Sequence, residues 1–188
     1  MLNHSSGIYL GIAASVGLAA IFQFWAADFY YLRDLLWTQP WRIMTAHWVH
    51  VGWMHFLLNM LALICLVLIF PKINTTRFYI ALLLLPIFIS VAIYVFSPDV
   101  AAYAGFSGVL HGLYVFAAVQ GLGDKKERFF AYCILLGLSG KLVWEGYFGA
   151  LSGTAQMIGS PVLIEAHQYG VLGGIFLSLI FFIIKQID

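Results

Sequence analysis

The chain has 188 residues, 63% of them hydrophobic and only 9% charged, where soluble domains carry charge on roughly a quarter of residues. Such apolarity excludes a disordered chain, and nine Lys plus Arg against eight Asp plus Glu leave no basic surplus for a nucleic-acid partner. At about 20 residues per crossing there is room for six or seven membrane spans and no separate soluble domain, so residues 1–188 read as one transmembrane domain in a lipid bilayer.

The start, residues 1–6, has no Lys or Arg ahead of the first apolar run, so no cleaved signal peptide is expected and His4 reads as exposed. Apolar runs with polar or turn-rich breaks predict spans over residues 8–27, 54–70, 78–96, 106–121, 129–148 and 166–184. No alternating strands are apparent, so the expected class is an all-α, six-helix bundle. Pro71, Pro98 and Pro161 fall in the breaks, and Pro86 is expected to kink the third span. Cys65 and Cys133 lie in apolar runs without metal-knuckle spacing and read as small buried hydrophobes.

With the N-terminus inside, Lys72, Arg77, Lys125, Lys126, Arg128 and Lys185 are cytoplasmic, against Arg33 and Arg42 outside. The excess of inside cations predicts both termini in the cytoplasm. The first outer stretch, residues 28–53, holds Trp37, Trp41, Trp48 and Trp53, four of the six tryptophans, and is expected to lie at the headgroup level.

Polar side chains are costly in hydrocarbon and mark the places to look for function. His55 and Asn59 stand at i and i+4 in the second span, Ser107 and His111 at i and i+4 in the fourth, and His167 opens the sixth. Counted from the cytoplasmic ends at about 1.5 Å per residue, Ser107, His55 and His167 rise roughly 21, 22 and 25 Å, one common level below the outer boundary. Gly108 and Gly112 form one GxxxG, and Gly170 and Gly174 another on the face of His167, a pattern that lets two helix backbones approach and would bring His167 toward Ser107.

A serine beside a histidine base is the minimum for covalent acyl transfer. His55, Asn59 and backbone N–H groups at the start of the fourth span can donate to the oxyanion, and Gly105 and Gly108 leave the serine exposed. His47 and His50 read as structural. In the fifth span Lys141 and Glu145 at i and i+4 read as an ion pair rather than a substrate-binding group, and residues 149–161 as a connection or a lid.

Taken together, Trp41-Arg42, the run HVGWMHFLLN with His50, His55 and Asn59, Gly105-Phe106-Ser107-Gly108, and Ala166-His167 with Gly170 and Gly174 resemble the rhomboid intramembrane serine proteases across all six spans. The resemblance implies Ser107 as nucleophile, His167 as its base, His55 and Asn59 in the oxyanion hole, no cofactor and no acidic third member. One residue departs: His111 stands where many rhomboids have a tyrosine packed on the catalytic histidine, and its spacing also brings it near Ser107. The string GFSGVLHG is most similar to the rhombosortase branch, which implies a bacterial inner-membrane enzyme, active at its periplasmic side, on exported proteins with a C-terminal Gly-Gly motif, a transmembrane helix and a basic tail. Two other readings are a membrane haem or metal protein using the histidines, although His47-Trp48-Val49-His50 lacks the Glu of HExxH, and an inactive helix-binding relative.

Overall fold

A computed structural model describes residues 4–187; the side chains of His4 and Lys185, on which two of the expectations above fall, lie outside the described residues. The long helices are α1 (His4–Phe22), α4 (Trp53–Ile69), α5 (Thr75–Phe96), α6 (Ser107–Gly121), α7 (Arg128–Phe148) and α9 (Ile164–Ile187). Their bounds follow the apolar runs because the breaks carry the residues that stop helices: Pro71, Pro98 and Pro161 all lie between helices, while α5 runs on through Pro86.

Among the described residues, four segments, Gly7–Phe29, Thr75–Phe96, Arg128–Phe148 and Ile164–Ile184, are long and apolar enough to cross a membrane. The remaining two are shorter, 17 residues in α4 and 15 in α6. For α6 the cause is local, since its first residue is Ser107 and the chain before it is a short strand and a turn at Gly105.

The bundle is built around α6. Val109, Leu113, Phe116, Ala117 and Ala118 are almost fully buried there, and α9, α7, α5 and α4 pack about it. On α7, by contrast, only Ala131 and Glu145 are buried. That imbalance corrects the reading of the cysteines: Cys133, on α7, is exposed and Cys65 is half-buried, because the outward faces of these helices turn to lipid.

The first outer stretch is folded rather than a plain connection. It contains the short helices α2 (Ala26–Phe29) and α3 (Arg42–Thr45) and a two-residue strand β1 (Tyr31–Leu32), which pairs antiparallel with β2 (Ala102–Tyr103) just before α6. Two residues are too few for a periodicity to be visible, so the sequence gives no warning of this pairing. Of its tryptophans, Trp37, Trp41 and Trp53 are exposed, as suits a headgroup layer, and Trp48 turns inward onto Phe106 with ring centroids 4.8 Å apart.

Both cations of this stretch are spent on backbone carbonyls. Arg33 donates to the carbonyls of Ile93, Tyr94, Ser97 and Val100, placing a cation at the C-terminal end of α5 and the turn that follows it. Arg42 is buried and donates to Tyr30 O at 2.7 Å and to Gln39 Oε1 at 2.6 Å. Arg42 therefore shapes the loop from a distance, and neither it nor the exposed Trp41 lines the cavity described next.

Candidate active site

The polar residues converge where α6 begins. Gly105 has φ +138, a conformation that side chains avoid, and a Cβ there would lie 2.7 Å from His55 Cε1. This turn is fixed from three directions: Gly105 N–H donates to Ala46 O (3.0 Å), Tyr103 Oη–H to Gly105 O (2.5 Å), and Phe106 N–H to His50 Nε2 (3.3 Å). His50 is itself clamped by the buried Gln23 of the first membrane segment, whose amide donates to His50 O and accepts from His50 N–H. The serine thus sits at the first position of α6 on a rigid turn, with the N–H groups of the first helical residues lacking helical partners.

From α9, His167 approaches from the side. Gly108 and Gly112 face Gly170 and Gly174 so closely that a Cβ on Gly108 would lie 2.7 Å from Ala166 O and one on Gly112 2.6 Å from Gly170 O. This backbone contact sets His167 Nε2 3.0 Å from Ser107 Oγ. His167 is 4% exposed.

His111 does not reach the serine hydroxyl. Its Nδ1 lies 2.7 Å from Ser107 O, the carbonyl one turn back, and its ring stacks on His167 with centroids 4.1 Å apart and planes inclined 15°. The stacked ring supports one face of His167. Asn59 is buried, donates to His55 O at 3.1 Å on its own helix, and is not among the cavity-lining residues, whereas His55 is.

Glu145 corrects the expectation of a site without an acid. It is bound to Lys141, as the spacing predicts, with Oε1 2.5 Å from Nζ, but its other oxygen, Oε2, lies 3.0 Å from His167 Nδ1. Reading Lys141 and Glu145 as a self-neutralised pair overlooks this because the i, i+4 spacing shows the pair and not which neighbour it meets. The signal the sequence offered is that an acid within a membrane span turns to the bundle interior and meets a partner there.

Ser107, His55, His111, His167, Lys141 and Glu145 share the wall of a cavity of about 620 Å³. Its far side is formed by Tyr30 and Val51 of the first outer stretch, and by Leu151, Thr154 and Ile158 of the 149–161 segment, which folds as the short helix α8 (Ser152–Ile158). The cavity is large enough for several residues of an extended peptide and is mostly apolar. Among the described residues, no group of three or more His, Cys, Asp or Glu is placed to hold a metal ion.

His47 and His50 lie outside this wall and are buried completely. Burial lowers both to about 3; for His50 the neighbouring His55 adds to it. A neutral imidazole is what each position needs: His50 Nε2 accepts from Phe106, and His47 Nε2 lies 2.9 Å from Ser90 Oγ. Unfolding returns each to 6.5, so the unfolded chain binds protons that the folded one refuses between pH 6.5 and about 3. Stability is complete above 6.5 and falls as the pH drops through that window, by up to ~1.4 kcal/mol per pH unit for each histidine. Unfolding midpoints in detergent from pH 7 to 4 should fall steeply, and less steeply in His47→Gln; a flat profile in the wild type would contradict the assignment.

A family model described as the Rhomboid domain matches residues 37–184, more than half of the chain. No curated protein matches it.

Proposed function

The chain belongs to the rhomboid family, whose members are generally intramembrane serine proteases, and we propose that it is an active one of the rhombosortase type, with Ser107 and His167 as its dyad. The observation that carries this reading is the 3.0 Å approach of His167 Nε2 to Ser107 Oγ in the wall of a cavity. Such a distance suits proton transfer between heavy atoms.

In this mechanism His167 Nε2 takes the proton of Ser107 as Oγ attacks the substrate carbonyl. The tetrahedral intermediate places its negative oxygen near the start of α6, where the Ser107 N–H and the positive end of the helix stabilise it. His55 is the side-chain donor, and Asn59 supports it through the turn they share. Collapse breaks the C–N bond, and His167 returns the proton to the departing amine. Water or an amine then attacks the acyl carbon, with His167 taking its proton, and as the C–Oγ bond breaks His167 returns that proton to Ser107 Oγ.

We place the protein in a bacterial inner membrane with six spans and both termini cytoplasmic. The site then opens toward the periplasm, where the second nucleophile is plentiful. The substrates are exported proteins held by a C-terminal helix behind a Gly-Gly motif with a basic tail, and glycine residues leave the scissile segment extended and unobstructed, as a reaching serine requires. Co-expression with such a substrate, followed by mass spectrometry of the released C-terminus, tests the proposal. A new terminus at or beside Gly-Gly, bearing either a free carboxylate or an added amine, is the expected result, and an uncut substrate in a strain with ample enzyme counts against it.

A subsidiary expectation concerns the oxyanion donor. His55→Ala should lower kcat by about 10²- to 10³-fold with little change in KM, the usual cost of one such donor. A drop of less than threefold would remove His55 from the mechanism.

A further inference from the structure

An imidazole with one proton has a donor nitrogen and an acceptor nitrogen, and the partner of one decides the state of the other. His167 Nε2 faces Ser107 Oγ and its Nδ1 faces Glu145 Oε2, each at 3.0 Å. An ionised carboxylate can only accept, so it draws the proton to Nδ1 and leaves a lone pair on Nε2 aimed at the serine. A second neighbour works the other way. Lys141 Nζ stands 3.3 Å from the same Nδ1, and an ammonium can only donate. Were Lys141 its sole partner, Nδ1 would present a lone pair, the proton would move to Nε2, and the ring could not accept from Ser107. Glu145 prevents this twice over, by occupying Nδ1 and by holding Nζ on its other oxygen at 2.5 Å.

The second bond of Glu145, outside its own helix, separates this arrangement from a pair that merely makes charges tolerable. On a helix with only Ala131 and Glu145 buried, the Glu145 side chain is 5% exposed while Lys141 keeps 41%. A pair serving only to neutralise itself would be complete within α7, whereas Glu145 carries a second bond, from Oε2 to His167 on α9. Here the acid is turned in and the cation follows it.

We propose that Glu145 is the positioning residue of the active site: it fixes the tautomer and orientation of His167 and balances the imidazolium that forms during acyl transfer, while Lys141 neutralises it in the resting enzyme. The inference rests on the acyl-transfer reading of Ser107 and His167. It makes the site a serine, histidine and glutamate drawn from three helices.

Two measurements on the full chain in proteoliposomes test it. In nitrogen-15 NMR of histidine-labelled protein, with the His167 signals identified by their loss in His167→Ala, the wild type should show a protonated Nδ1 and an unprotonated Nε2. Glu145→Gln should shift the population toward protonated Nε2. Labelling by a fluorophosphonate probe should slow about 10³- to 10⁴-fold in its maximal rate in Glu145→Gln, with the half-saturating probe concentration nearly unchanged, and Glu145→Asp should recover part of that loss. A helix anchor would alter neither the tautomer nor the maximal rate alone. Equal labelling of wild type and Glu145→Gln, or a wild-type His167 protonated on Nε2, overturns the proposal. The tautomer in the wild type decides the matter alone if Glu145→Gln does not fold. Failure of the wild type to label, or labelling undiminished in Ser107→Ala, instead counts against the acyl-transfer reading itself.

Discussion

Ser107→Ala and His167→Ala are each expected to abolish proteolysis, lowering kcat roughly 10⁴- to 10⁶-fold at unchanged expression. The reason is that the two groups act as a unit. Without Oγ there is no acyl-enzyme to form, and without Nε2 at 3.0 Å the hydroxyl keeps its proton, since a serine hydroxyl is a weak nucleophile on its own. The double variant should therefore be no slower than either single one, because each change alone already removes the covalent path. The stability consequences differ. Ser107 is only partly buried and its loss removes one hydrogen bond, worth about 1 kcal/mol. His167 is buried between Glu145 and the His111 ring, so its removal leaves Glu145 without one partner and opens space beneath it. Retained folding in Ser107→Ala with complete loss of processing is the cleanest outcome. Processing by Ser107→Ala above a hundredth of the wild-type rate would remove the serine from the chemistry.

His111 is the natural competitor for the role of base, and the same assay separates the two. Its Nδ1 is engaged with Ser107 O, and its ring lies flat against His167, so it can support the base but cannot take the hydroxyl proton from where it stands. His111→Tyr replaces one flat ring by another and should retain substantial processing, whereas His167→Ala should not. Equal loss in both would point to a proton path through His111.

The features legible in the sequence are those carried by local chemistry. Long apolar runs set the helices, the histidines, Asn59 and Ser107 stood out because hydrocarbon penalises them, and glycines at i and i+4 on two segments marked the place where backbones meet. What stayed hidden depends on which elements become neighbours. Glu145 looked complete with Lys141, and only the position of α7 beside α9 shows its second oxygen on His167. Gln23, buried in the first segment, could have been any polar residue near a helix end, yet it holds both backbone groups of His50 and so supports the turn before Ser107 from 84 residues upstream, the difference of their numbers. Tyr103 was likewise silent. Burial raises its phenol well above the ordinary value, so it remains a donor to Gly105 O at any working pH.

The second large effect is expected from the contact between α6 and α9, because this is where the fold and the chemistry are the same interaction. Gly170→Val should destabilise the protein by at least about 3 kcal/mol and reduce processing more than a hundredfold in whatever fraction remains folded. A Cβ on Gly170 would run into the carbonyl of Gly108, the residue next to the nucleophile, and backbone at a helix start cannot move aside as a side-chain tip can. The helices must separate, and even ~1 Å of separation carries His167 Nε2 out of reach of Ser107 Oγ. Gly173, three residues on, is the internal comparison. A Cβ there meets Leu85 Cδ2 and Phe88 Cδ1 at 2.9 Å, both ends of side chains that can turn, so Gly173→Ala should cost about 1–2 kcal/mol and leave the catalytic distance intact. Gly140, on α7, has nothing within 4 Å, and Gly140→Ala should be neutral or slightly stabilising through helix propensity. Unfolding midpoints in detergent, read beside the processing rate of each variant, give the order directly. If Gly170→Val and Gly173→Ala behave alike in both measurements, then backbone apposition at Gly108 is not what brings the histidine to the serine.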